Sequence, residues 1–153
     1  MNILAIDTTS TGLSIALIKG DETFSHTTQI GKSGHSATLM PQIDDMLKSR
    51  GVDVKNLDAV AVNVGPGSFT GIRIGVSAMT AIAFATGAKR IAMTSFELIA
   101  HGRGDVLAAV DAGHGNLYLA KCSNGKVLEA SFREASEQKV ENAEYAPLKS
   151  VDI

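Results

Sequence analysis

Asp7 opens the run Asp7-Thr8-Thr9-Ser10-Thr11-Gly12, which sets one carboxylate and four hydroxyls at the end of the apolar segment Ile3–Ile6. A carboxylate there could hold a metal or a water. The hydroxyls and backbone N–H groups could hold a phosphate, in the manner of an anion-binding nest. The same residues also close hairpins through Asx and Ser/Thr turns. Asp111-Ala-Gly-His-Gly115 repeats the theme at a second strand end, as another phosphate loop or a plain β-turn. An ATPase or phosphotransferase built on this chemistry would use Asp7, Thr8, Thr9, Asp111 and Gly113.

A third feature is Gly65-Pro-Gly-Ser-Phe-Thr-Gly71, between an apolar run and an apolar helix. Strand, glycine loop and helix can cradle an anion on free N–H groups. The glycine spacing fits neither the P-loop nor the dinucleotide fingerprint, and no Gly-Lys-Ser/Thr follows. Ser68 does not sit in a nucleophile elbow, which would need glycine where Thr70 stands. His35 would need a second ligand one helical turn on, where Thr38 and Leu39 lie. His26, His101 and His114 show no ligand spacing, so neither metal nor cofactor is expected. Cys122 falls in a strand pattern and reads as a small buried residue.

The elements that must position these groups follow from periodicity. Ile3–Ile6, Leu13–Ile18 and Thr23–Gln29 are short strands whose connections are too brief for crossovers, hence an antiparallel meander. Gly31–Gly34 is a loop. Leu39, Met40, Ile43, Met46 and Leu47 recur at helical spacing from about Ser36 to Ser49, with Pro41 in the first turns and Gly51 as a stop. Ala59–Val64 is a buried strand and Thr70–Thr86 an apolar helix ended by Gly87; Arg90–Met93 is a strand and Ser95–His101 a short helix. Val106–Val110, Asn116–Cys122 and Lys126–Phe132 form a second meander, the last two joined by an Asn-Gly turn. Residues 1–102 thus make one lobe. Residues 103–153 begin a second, with a meander to about residue 132 and a loosely packed, charged tail from Arg133, and this second lobe is read as truncated.

Composition narrows the classes. A chain of 153 residues can bury a real core, and its formal charge of −2 gives no general pull toward nucleic acid or anionic lipid. A single cysteine excludes an internal disulfide and fits a reducing cytoplasm. The N-terminus lacks the basic region of a signal peptide. The uncharged stretch Ile74–Ala88 falls short of the ~20 residues of a membrane span.

The helix after the glycine loop is apolar nearly all round, with Arg73 its one charge, acting as a snorkelling side chain or an ion-pair anchor. Such a helix must be covered on every side. In a chain this small, part of the cover is expected from a partner.

Ile3-Leu-Ala-Ile-Asp-Thr-Thr-Ser-Thr11, His35-Ser36 ahead of Leu39-Met-Pro-Gln-Ile-Asp44, Val64-Gly-Pro-Gly-Ser-Phe-Thr-Gly-Ile-Arg-Ile-Gly75, Thr94-Ser-Phe-Glu-Leu-Ile99 and Val110-Asp-Ala-Gly-His-Gly-Asn-Leu-Tyr118 occur in one order. Over about the first 130 residues the chain resembles the TsaB (YeaZ) family, bacterial partners of TsaD in tRNA threonylcarbamoyladenosine synthesis. The resemblance implies an RNase H-like, actin-like ATPase lobe, α/β with a five-stranded mixed sheet and flanking helices. It implies a non-catalytic subunit that binds and activates TsaD, with the ATPase TsaE joining in a ternary complex and a homodimer forming when alone. The family's meeting surface falls on Leu39, Met40, Ile43, Met46, Leu47, Ile72, Arg73, Val76, Met79, Ile82 and Ala83. The metal-binding His-x-x-x-His of TsaD-like relatives is broken at Leu39, so peptidase activity is not expected.

Overall fold

Strict alternation in the opening residues builds the first sheet. The computed structural model describes residues 1–30 and 34–134. In β1 (Asn2–Asp7) and β2 (Gly12–Lys19), Leu4, Ile6, Leu13, Ile15 and Leu17 point to one face and are buried there. β3 (Glu22–Gln29) pairs antiparallel with β2 and is mostly exposed, as its hydroxyl-rich sequence dictates. The chain then crosses through α1 (Gly34–Ser49) to β4 (Ala59–Asn63), and through α2 (Phe69–Thr86) to β5 (Lys89–Met93). β4 lies parallel to both β1 and β5, which gives a mixed five-stranded sheet in the order β3-β2-β1-β4-β5. The expected five-stranded mixed sheet with helices is present.

The core lies between this sheet and its two helices. Leu39, Ile43, Met46 and Leu47 of α1 and Met79 and Ile82 of α2 pack with the aliphatic face of β1, β2 and β4. Ser68 caps α2, its side chain accepting from the Gly71 N–H, and Gly87 ends it at φ 74°, a left-handed conformation that favours glycine. α1 starts earlier than its periodicity suggests, at Gly34, so Pro41 sits two turns in, on an exposed position. A 3-10 turn, Val54–Asn56, fills the approach to β4; its signal was Asp53, whose side chain accepts from the Lys55 N–H.

α3 (Ser95–Ala100) begins with a capping box, Thr94 accepting from the Glu97 N–H while the Glu97 carboxylate accepts from the Thr94 N–H. It packs Phe96 and Ala100 against Ala108, Val110, Ala120 and Cys122 of a second sheet. That sheet is the expected meander β6 (Asp105–Gly113), β7 (Asn116–Ser123) and β8 (Lys126–Arg133). Burial in this cluster raises the Cys122 thiol pKa, away from reactivity. β6 runs further than expected: Asp111 to Gly113 belong to the strand, with a register shift between Asp111 and Gly113. The tail expected from Arg133 falls, beyond Glu134, outside the described residues, as do residues 31–33 of the expected loop.

By length and composition α2 is apolar enough to cross a membrane, unlike the shorter uncharged stretch that suggested otherwise. Here its Gly71, Gly75, Met79, Ile82 and Ala83 ridge is buried in the fold.

Candidate functional site

The register of the first sheet brings the Asp7 turn beside the end of β4. Ile6 pairs with Val62, so Asp7 and Asn63 come next to each other at the same sheet edge. Asp7 is fully engaged: Oδ1 accepts from the Thr9 N–H and the Thr9 hydroxyl, both at 2.8 Å, and Oδ2 accepts from Asn63 Nδ2 at 2.9 Å. Thr8 and Thr9 are buried, and the Thr8 hydroxyl donates to the Gly71 carbonyl at 2.7 Å. The side-chain polar groups of Asp7, Thr8 and Thr9 are thus hydrogen-bonded within the fold.

The glycine loop has a different use from the expected anion cradle. The Ser68 N–H donates to the Thr9 carbonyl at 2.7 Å, which lays the start of α2 directly on the β1–β2 turn. A Cβ on Gly71 would land on the Thr8 carbonyl oxygen, and one on Gly67 would come within 2.5 Å of the Thr9 carbonyl. A Cβ on Gly75 would meet the Thr8 hydroxyl at 2.5 Å. Gly67 and Gly71 are glycine where loop and helix meet the backbone of Thr9 and Thr8, and Gly75 where the helix meets the Thr8 hydroxyl.

Asp111 does not join this turn network. It is exposed, and its Oδ1 accepts from the Gly113 N–H at 2.7 Å, a plain Asx turn leading into the His114–Gly115 hairpin. Among the described residues no group of three His, Cys, Asp or Glu side chains could hold a metal. His35 Nε2 lies 3.1 Å from the Gly12 carbonyl, tying α1 to β2.

The structure divides the residues expected at a partner surface. Leu39, Ile43, Met46, Leu47, Met79, Ile82 and Ala83 are buried in the chain's own core. A sheet-packed helix spends the apolar stripe nearest the sheet, and periodicity alone does not say which stripe that is. Met40 and Arg73 are exposed, and Ile72 and Val76 are partly buried at the margin. What α2 leaves uncovered is a mixed face that carries two phenylalanines. Phe84 is 92% exposed and Phe69 73% exposed, with Ser77, Thr80 and Ala81 between them. The Arg73 guanidinium lies 5.5 Å from the Phe69 ring centroid, a cation–π contact. An open groove beside β5 is lined by Val76, Thr80, Ala83, Phe84, Ala88 and Arg90.

Two residues escaped the sequence reading. Asn63 is 1% exposed and Ser95 is fully buried, both hydrogen-bonded to the loop between them. The signal was available for Asn63: it is the one polar residue in the strand Ala59-Val-Ala-Val-Asn63. Phe84 was legible only as one apolar residue among many.

The chain matches the family model described as TsaD, tRNA N6-adenosine threonylcarbamoyltransferase, over residues 26–148. It is 32% identical over 136 residues to the tRNA threonylcarbamoyladenosine biosynthesis protein TsaB of Haemophilus influenzae, covering 83% of this chain and 56% of that protein. It is 35% identical over 131 residues to the TsaB protein of Bacillus subtilis, covering 82% and 57%. The chain thus spans little more than half the length of these curated relatives. A solved structure of YeaZ from Pseudomonas aeruginosa superposes with a TM-score of 0.76 at 29% identity, covering 86% of this chain and 67% of that one. That likeness agrees with the actin-like lobe implied by the sequence motifs. The chain belongs to the family defined by TsaD, tRNA N6-adenosine threonylcarbamoyltransferase, and is similar within it to the proteins named TsaB and YeaZ.

Proposed function

We propose that this protein is a non-catalytic scaffold subunit in tRNA threonylcarbamoyladenosine synthesis. It binds and activates TsaD, which transfers threonylcarbamoyl to the adenosine beside the anticodon of tRNAs reading codons that begin with adenine. The observation that carries the reading is the outward face of α2, which exposes two phenylalanines. Phe69 and Phe84 stand in water at its two ends, and each would gain about 1.5–3 kcal/mol on full burial. Around Phe84, Val76, Ala81, Ala83 and Ala88 line an open apolar groove, the kind of surface that marks a protein interface. Asp7, Thr8 and Thr9 are consumed by internal hydrogen bonds, which favours a scaffold over an ATPase built on Asp7 and Asp111.

In this reading TsaD occupies the α2 face as a heterodimer, with Met40 of α1, Ile72, Arg73 and Val76 at its margin, and TsaE joins the pair. Without TsaD, two copies close on the same patch by two-fold symmetry. The second sheet belongs to a second lobe, and the subunit acts in the cytoplasm.

Gel filtration with TsaD from the same organism tests the reading. The wild-type chain is expected to co-elute with TsaD, and Phe84→Glu is expected to abolish co-elution while its circular dichroism and melting temperature stay unchanged. Undiminished co-elution of folded Phe84→Glu would remove α2 from the interface. Micromolar ATP affinity lost in Asp7→Ala would instead revive the ATPase.

A further inference from the structure

Asn63 sits where three elements converge, and its carboxamide makes three hydrogen bonds and shares in a fourth. Nδ2 donates to Asp7 Oδ2 at 2.9 Å and to Thr9 Oγ1 at 3.1 Å. Oδ1 accepts from the Gly65 N–H at 2.9 Å and lies 3.1 Å from the Ser95 hydroxyl, whose one proton it shares with the nearer Pro66 carbonyl. The partners fix the orientation of the amide, since only a donor suits the carboxylate and only an acceptor suits the N–H. Ser95 Oγ also lies 2.7 Å from the Pro66 carbonyl, so the start of α3 and the loop after β4 are held together. From this point hydrogen bonds run to α2. Asp7 holds Thr9, the Thr9 carbonyl takes the Ser68 N–H, and the Gly71 carbonyl takes the Thr8 hydroxyl. The N-terminal end of α2, with Phe69 and Arg73 on its exposed face, therefore hangs on a turn that Asn63 fastens.

We propose that Asn63 is a positioning residue: its carboxamide locks the Asp7 turn to the loop after β4, and so sets the N-terminal end of the exposed α2 face. A bound anion could brace such a turn from outside; here an internal amide does it. The consequence for TsaD binding rests on the scaffold reading above, whereas the lock itself does not.

An exchange of the two side chains tests it. Asp7→Asn alone sets two amide donors against each other, and Asn63→Asp alone sets two carboxylates against each other. Each single variant is expected to lower the melting temperature and to speed amide hydrogen exchange at residues 68–73 at least tenfold. In the double variant Asp7→Asn/Asn63→Asp a donor again faces an acceptor across the two positions. The amide placed at position 7 would donate to the carboxylate placed at position 63 and accept from the Thr9 N–H. That carboxylate would also accept from the Thr9 hydroxyl, the Gly65 N–H and the Ser95 hydroxyl. Recovery of most of the lost melting temperature and protection supports the lock, even if both single variants fail to fold. A double variant no better than the worse single one overturns it. So does a folded Asn63→Asp whose 68–73 exchange matches wild type. For the functional consequence, folded Ser95→Ala and Asn63→Asp are expected to bind TsaD at least fivefold more weakly, and wild-type affinity in both would refute it. If the wild-type chain itself does not bind TsaD, the scaffold reading fails, while melting and exchange still decide the lock.

Discussion

The two faces of α2 meet opposite fates. The inner ridge of Gly71, Gly75, Met79, Ile82 and Ala83 is buried; the outer face carries Thr70, Arg73, Ser77 and Thr80 and ends in Phe69 and Phe84, both largely in solvent. The polar side chains mark the outer face. Glycine marks the inner one, because Gly71 and Gly75 are the positions where the helix touches the β1–β2 turn backbone and the Thr8 side chain. Reading outward from those glycines, rather than from the hydrophobic residues, would have located the free face.

The comparison breaks most sharply on charge. Ile82→Glu would bury an uncompensated carboxylate in the core, a loss of about 3–5 kcal/mol. That is a large part of the stability of a domain this size, so urea unfolding should show a chain largely or wholly unfolded. Phe84→Glu, two residues on, should stay within about 0.5 kcal/mol of wild type. Equal destabilisation by the two would mean that α2 has no free face.

Glycine gives the next largest effect. Gly71→Ala drives a methyl group into the Thr8 carbonyl, a backbone atom that cannot swing aside, and should lose about 1–3 kcal/mol or more in thermal melts. Gly104→Ala is the control, since nothing lies within 4 Å of a Cβ there and its φ is ordinary. If both variants melt alike, close packing is not why Gly71 is glycine.

Most elements were legible because the local signal and the tertiary demand agreed. β1, β2 and β4 are apolar where the sheet needs it, Gly87 ends α2, and Asn124-Gly125 turns the last hairpin at positive φ. What was not legible depended on pairing across the sheet. The place of Asn63 opposite the turn, and the choice of stripe on α2, both follow from β4 lying parallel to β1. No window of sequence contains that pairing. The Asp7 turn was ambiguous for the same cause: its partner lies 56 positions away.

A smaller effect separates the two sheets. The Glu97 carboxylate accepts from the Thr94 N–H and hydroxyl, and these bonds hold its pKa below the usual value of 4.5. A lowered carboxylate stabilises the fold above that usual value and loses the contribution as pH falls through its folded value. Glu97→Ala should therefore lose about 0.5–1 kcal/mol at neutral pH. The gap to wild type should narrow as pH falls below 4.5 and close once pH has passed the lowered folded value. A gap that persists in acid would mean that the side chain acts by packing and not as a cap.

The smallest expected effect sharpens the contrast between the acidic turns. Asp7 ends β1, Asp111 lies two residues from the end of β6, and both receive an N–H two residues on. Asp7 has in addition a buried amide donor, and its loss would strand that donor. Asp111 is exposed, and its bond to the Gly113 N–H is one that water can replace. Asp111→Ala should therefore change stability by no more than about 0.5 kcal/mol. Asp7→Ala should cost about 1–3 kcal/mol, the penalty for an unpaired buried group. The difference between the two melts measures what the Asn63 and Thr9 hydroxyl contacts add to a bare Asx turn. Equal losses would mean that the buried amide finds another partner once the carboxylate is gone, and that Asp7 is no more than a second Asx turn.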